Sequence, residues 1–275
     1  MINMKSIFFS VLLLFGIHSL RIHAQELGTA NYRCTYKLSY SNDPNQVAKK
    51  TEDFMILEMG PTSSAFYSYH TFRVDSAIKS DLAHGVPAME MLASHSKYGR
   101  KGVDYQIFKD KRLAKTITVD KLAIQNFKYE EPLHAMKWEI LNENSNLLGY
   151  EVRKAVCSFS GRDYEAWYAP AIAFDNGPWK FGGLPGLILK INDSKNEFSF
   201  ELTGFQSLNP VKTLNIPEKK VTEINKLEFL KRQDRLNRKP YEYLRTQMGI
   251  QIKPLDDAAK ANFDKVRPYN PMELN

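Results

Sequence analysis

The sequence predicts a mainly β protein: a curved antiparallel sheet or incomplete β-barrel with one or two packed helices. Three observations carry this. Apolar and polar residues alternate with a period of two through most of residues 25–220, which sends successive side chains to opposite faces of a strand. The strand candidates are short and closely spaced, with turn signals such as Ser160-Gly161 and Asn192-Asp193-Ser194 between them, as in a meander. Helical periodicity is confined to two segments, one near residue 75 and one after residue 221.

The elements follow in order. Tyr32 to Tyr40 puts Tyr32, Cys34, Tyr36, Leu38 and Tyr40 on one face of a first strand. Asp53 to Met59 and Ser64 to Tyr69 are the second and third. Residues 71–84 fit a short helix with Phe72, Ile78 and Leu82 as its apolar positions, and 85–102 reads as a loop. Strands are then expected at 103–109, 114–119, 124–130, 136–142, 149–159, 163–169, 186–192 and 197–205. Residues 207–220 read as a proline-punctuated connector. Thr222 is the expected N-cap of a helix whose apolar positions are Ile224, Leu227, Leu230 and Leu236, because its hydroxyl can accept from a first-turn amide. Lys226, Lys231, Arg232, Arg235 and Arg238 form its other face, and Pro240 breaks it. The tail from Arg267 to Asn275 offers little to bury.

Composition sets the class. The 275 residues are 43% hydrophobic, 25% charged and 12% aromatic, which is globular and excludes a disordered, collagen-like or polytopic membrane chain. Lysine and arginine outnumber the acids by 38 to 31. Setting aside Lys5 and Arg21 leaves 36 against 31 over residues 25–275, too mild an excess for a nucleic-acid binder. Residues 1–24 read as a signal peptide: Lys5 before an apolar run from Ile7 to Ile17, then small Ala24 as the cleavage position. Cleavage leaves a β domain at 25–220 and a C-terminal helix and irregular tail at 221–275 packed on it. No later run is apolar enough to span a bilayer. The chain is expected in the periplasm in preference to the medium. An oxidising compartment permits a Cys34–Cys157 disulfide, and two buried thiols are the equal alternative.

The densest stretch is Gly149 to Asp193, with Gly-Arg-Asp-Tyr-Glu-Ala-Trp-Tyr from Gly161, Gly-Pro-Trp-Lys-Phe-Gly from Gly177, and Gly-Leu-Pro-Gly-Leu-Ile at 183–188. This resembles the GLPGLI family of exported Bacteroidetes proteins, also called the Porphyromonas gingivalis family of unknown function. The near-terminal Arg-Pro-Tyr-Asn-Pro-Met-Glu-Leu agrees with it. Ile172-Ala173 departs from the Ile-Pro expected there. The resemblance implies no established activity.

Physically, the segment is a shaped connection between two strands. Gly182 and Gly183 permit backbone angles closed to other residues, Pro178 and Pro185 remove donors and fix their own φ, Leu184 stands within the turn, and Gly186 with Leu187, Ile188, Leu189 and Ile191 reads as the start of a buried strand. Trp167, Tyr168, Trp179 and Phe181 either cap the sheet core or line a pocket mouth or partner surface. Arg162 can grip a carboxylate or phosphate bidentately, or serve structurally by pairing with Asp175 or a carbonyl. Lys180 is a second positive group near the loop.

No nucleophile elbow, zincin helix, P-loop or dinucleotide fingerprint is present. The mature histidines are isolated from one another and from both cysteines, so neither a metal site nor a cofactor is expected. A Cys157–His134 nucleophile pair has weak support. The leading reading is a non-enzymatic envelope protein that binds an apolar or peptide-like ligand in the concavity of its sheet, by fold-level analogy with lipoprotein carriers, or docks to an outer-membrane partner through the aromatic loop. The alternatives are a hydrolase-like enzyme using Arg162, Asp175 or Lys180, and a structural interaction module.

Overall fold

The computed structural model describes residues 25–93, 95–133, 135–217, 221–250, 256–263, 265–266 and 268–274. The expected signal peptide and His134 lie outside the described residues. The strands are β1 (Gln25–Tyr40), β2 (Thr51–Met59), β3 (Ser63–Ser68), β4 (Gln106–Asp110), β5 (Lys115–Leu122), β6 (Gln125–Pro132), β7 (Glu139–Leu147), β8 (Tyr150–Phe159), β9 (Arg162–Ala169), β10 (Leu187–Asp193), β11 (Phe198–Ile216) and β12 (Val221–Glu223). The helices are α1 (Tyr69–Ala83), α2 (Ala88–Ala93), α3 (Lys226–Arg238), α4 (Pro240–Met248) and α5 (Asp257–Phe263).

All twelve strands join one unclosed sheet in the order β12-β6-β5-β4-β3-β2-β1-β11-β10-β9-β8-β7. Every pairing is antiparallel except β12 on β6. The expected mainly β fold is therefore present. The long β1 is the hinge of the sheet, pairing with β2 on one side and β11 on the other. Phe66 of β3 and Ile107 of β4 share a core with Val152, Tyr164 and Ile191 of β8, β9 and β10. Strands so distant in the order can share a core only if the sheet curls around it.

The alternation explains which residues fill that core. Cys34, Tyr36 and Leu38 point inward from β1, as their spacing predicts. A smaller cluster around Leu27, Phe108, Ile117 and Leu214 forms on the opposite face. Cys34 and Cys157 are both free and buried. Strands β11, β10 and β9 stand between β1 and β8 in the sheet, and no disulfide joins the two cysteines.

Several expectations need correction. β11 runs through the supposed connector to Ile216. It accommodates Pro210 because residues 208–211 bulge opposite Asn31 alone, between the pairs Tyr32–Ser207 and Ala30–Lys212, so the ring displaces no ladder donor. Helix α1 is capped by Ser68 and buries Thr71 and Val74, while Phe72 and Leu82 are exposed. The supposed loop at 85–102 contains α2 and a 3₁₀ turn at His95–Tyr98. Thr222 lies in β12, and the N-cap of α3 is Asn225, whose side chain accepts from the Glu228 amide. Phe229, not Leu227, is the buried anchor of α3 against Phe127 and Tyr129.

Candidate functional site

The connection from β9 to β10, residues 170–186, folds into the hollow of the curled sheet. Trp179 is 4% exposed and Phe181 is fully buried. Phe181 packs edge-on against Tyr164, Trp179 and Phe200. The backbone is held from the far side of the hollow by Lys109 of β4. Its ammonium donates to Asn176 Oδ1 at 2.9 Å, to the Gly177 carbonyl at 3.0 Å and to the Phe181 carbonyl. Burial pushes the Lys109 ammonium down to about 7, opposed by the charge of Asp175. Tyr36 donates to the Ile188 carbonyl at 2.8 Å. Gly186 has a φ of 152°, and a Cβ there would stand 2.3 Å from the Ala169 carbonyl oxygen. That closeness is why glycine must occupy the position.

The two motif cations secure the C-terminal tail. Arg162, 6% exposed, donates from Nη1 to Glu197 at 2.5 Å and Asp193 at 3.1 Å, and from Nη2 to Asn270 Oδ1 at 2.6 Å and the Pro271 carbonyl at 2.7 Å. Burial disfavours the Glu197 carboxylate, but the Arg162 hydrogen bond prevails and holds its pKa below the usual value. Lys180, also buried, pairs with Glu131 and with Glu273 at 2.7 Å. Lys226 of α3 pairs with the same two carboxylates at 2.7 and 2.6 Å. Two lysines and two glutamates thus form a balanced cluster, and despite burial the lysines keep the Glu273 pKa low. The Leu274 amide donates to the Ser160 carbonyl, and Tyr164 donates to the Met272 carbonyl at 3.3 Å. The tail expected to bury little is a strap across the open side of the sheet.

Beneath the strap lies a cavity of about 190 Å³. Leu38, Tyr40, Tyr105, Thr118, Asp120 and Tyr129 line its sheet side, Trp179 one wall, Phe229, Leu230 and Gln233 of α3 another, and residues 269–273 its roof. Most of this surface is aromatic. Three polar groups stand in its wall. Thr118 is 2% exposed, and its hydroxyl lies against Tyr129, opposing the rise that burial gives that phenol's pKa. The shielded Tyr105 hydroxyl has no hydrogen-bond partner among the described residues, and burial with the nearby carboxylates of Asp53 and Asp120 raises its pKa well above the ordinary value. Asp120 accepts one backbone hydrogen bond, from Lys121 at 2.7 Å. Burial first, then the neighbouring Asp104 charge, pushes its pKa up to about 7.

Of the residues singled out from sequence, Trp179 reaches the cavity. Tyr168, Phe181 and Leu184 belong to the core cluster. Trp167 is half-buried, with the Lys154 ammonium 5.6 Å from its ring centre. Gly183 and Pro185 are exposed and Gly186 is buried; Gly183 has a φ of 87°. Asp175 pairs with Lys111 in the turn between β4 and β5, not with Arg162. Arg162, Asp175 and Lys180 are therefore dispersed into separate ion pairs, and none of the three lines the cavity. Burial holds both cysteine thiols up at about 12, so neither is a ready nucleophile. No group of three or more metal-ligating side chains occurs among the described residues. Sequence reasoning missed Tyr105 and Thr118, which read as ordinary strand positions, and Asp120, which falls just past the strand expected at 114–119.

A family model described as a protein of unknown function (Porph_ging) matches residues 161–190, the segment carrying Arg162, Lys180 and the glycine-rich turn. The family resemblance stands. The Porph_ging segment is thus the part of the chain that fills the hollow and grips the strap. No curated protein matches the chain. Two crystal structures of PNGF-II, in P21 and C2 crystal forms, align with it at 16% and 17% identity and a TM-score of 0.49. Each alignment covers 74% of this chain and 32% of that one, so the chain spans about a third of those proteins' length.

Proposed function

We propose that the chain is an exported, non-enzymatic protein of the periplasm that binds a small, largely apolar molecule in the cavity under the C-terminal strap. The observation that carries this is the cavity of about 190 Å³ itself, walled largely by aromatic side chains, among them Tyr40, Tyr105, Tyr129, Trp179 and Phe229. Small-molecule sites are concave, mostly apolar and aromatic, with a few polar groups that fix orientation. Size narrows the class. An apolar protein cavity of about 150 Å³ accepts benzene, and this one measures about 190 Å³. It suits a molecule of one ring with a short polar arm. A two-chain lipid is far too large, because the Porph_ging segment occupies the hollow a lipid carrier would leave open.

The test is calorimetric titration of residues 25–275 with 2-phenylethanol, repeated on a Leu230→Trp variant whose larger side chain fills the cavity from α3. The proposal predicts saturable binding by the native chain and weakening of about tenfold or more in the variant. Absence of binding to the native chain would overturn it.

A further inference from the structure

We infer that the cavity selects a small organic cation, an amine or alkylammonium group carried on an apolar body. The inference rests on the cavity being a ligand site at all, and adds the charge of the ligand.

The cavity wall combines aromatic rings with one carboxylate that has no counter-ion. Asp120 forms no salt bridge among the described residues and accepts only the Lys121 amide. It stands on β5 two residues from Thr118, so both side chains point from the same face into the cavity. The other charges nearby are settled. Glu273 and Glu131 are matched by Lys180 and Lys226. Asp104 and Glu273 add negative charge that raises the Asp120 pKa, and Lys180 opposes them. Within the cavity lining, Asp120 is the carboxylate left without a salt-bridge partner among the described residues.

The rings match that charge. Aromatic faces attract ammonium groups, and a cage of them is a recurring device for binding alkylammonium ligands. Two rings of this wall already do so from behind: the Lys180 ammonium lies 5.1 Å from the Tyr129 ring centre and 5.2 Å from that of Trp179. Tyr40, Tyr105 and Tyr269 also border the cavity. A ligand ammonium beside Asp120 would supply the missing counter-charge, while its apolar body filled the space toward Phe229.

Three probes of similar shape and different charge decide the matter: 2-phenylethylamine, 2-phenylethanol and 3-phenylpropionate, titrated into residues 25–275 at pH 8 and low salt. The amine should bind at least about tenfold more tightly than the alcohol, and the carboxylate most weakly. Asp120→Asn should bring the amine to within about twofold of the alcohol and leave the alcohol's affinity unchanged. Equal affinity for amine and alcohol, or a preference that survives Asp120→Asn, would overturn the charge inference while leaving the cavity reading intact. Failure of all three probes would overturn the cavity reading itself. If Asp120→Asn does not fold, the probe comparison on the unaltered chain still decides.

Discussion

Asp120 and Lys109 show how single side chains set the terms of this site. Asp120 has a folded-state pKa of about 7 against an ordinary value of 3.8. The folded chain therefore binds its proton more tightly than the unfolded chain does. Ionising the group costs stability progressively as pH rises from about 4 to 7, and the full cost is present above 7. Asp120→Asn removes that cost. Its melting temperature should equal the native value near pH 3.5 and rise above it through pH 7, by the equivalent of about 2 kcal/mol after allowance for partial exposure; a gap independent of pH would contradict this. Lys109 has the opposite role, as the donor to three acceptors of the buried loop. Lys109→Met keeps the bulk and strands those acceptors. Urea unfolding should show a loss of about 3 kcal/mol, since each stranded buried group costs roughly 1–3. Neither role was legible in the sequence. Asp120 and Lys109 stand at strand positions whose parity gives the face but not what lies across the hollow.

At the scale of elements, the account rests on the strap and on the loop that grips it. Their contacts join residues more than ninety positions apart, such as Lys180 with Glu273 and Arg162 with Asn270. No local signal announces such pairs, and a short polar, proline-containing tail reads as unburied for that reason. Arg162→Leu should cost about 3–5 kcal/mol, because it leaves Asp193 and Glu197 buried without a counter-ion. Glu273→Ala should be milder for the fold and specific for the strap. Hydrogen exchange should speed up over residues 269–274 and in Thr118 and Tyr105, with β1 and β2 unchanged; uniform acceleration would mean that the strap is not a separable unit. The strands were legible element by element, since a period of two survives local disturbance. The three residues of β12 were too few to register a period. The face of α1 was misread because periodicity identifies an apolar stripe, whereas the sheet meets this helix at Thr71 and Val74.

For the whole molecule, curling a twelve-stranded sheet raises two problems: an open side and two edges. The Porph_ging segment fills much of the open side from within, and α3 and the strap close most of the rest. Of the edges, β12 is only three residues long, and β7 is largely exposed but carries Glu139, Glu143 and several asparagines, which discourage strand addition. The sheet and the family resemblance were legible because they depend on alternation and on one contiguous motif. The cavity was not, because it is the space left when strand, loop, helix and tail meet. That residual space is the central claim, and a high-resolution crystal structure of residues 25–275 soaked in 2-phenylethylamine tests it most directly. The account predicts ordered ligand density between Trp179 and Phe229, with the nitrogen within hydrogen-bond distance of Asp120. A cavity that is collapsed, or that holds only water in the soaked crystal, would contradict it.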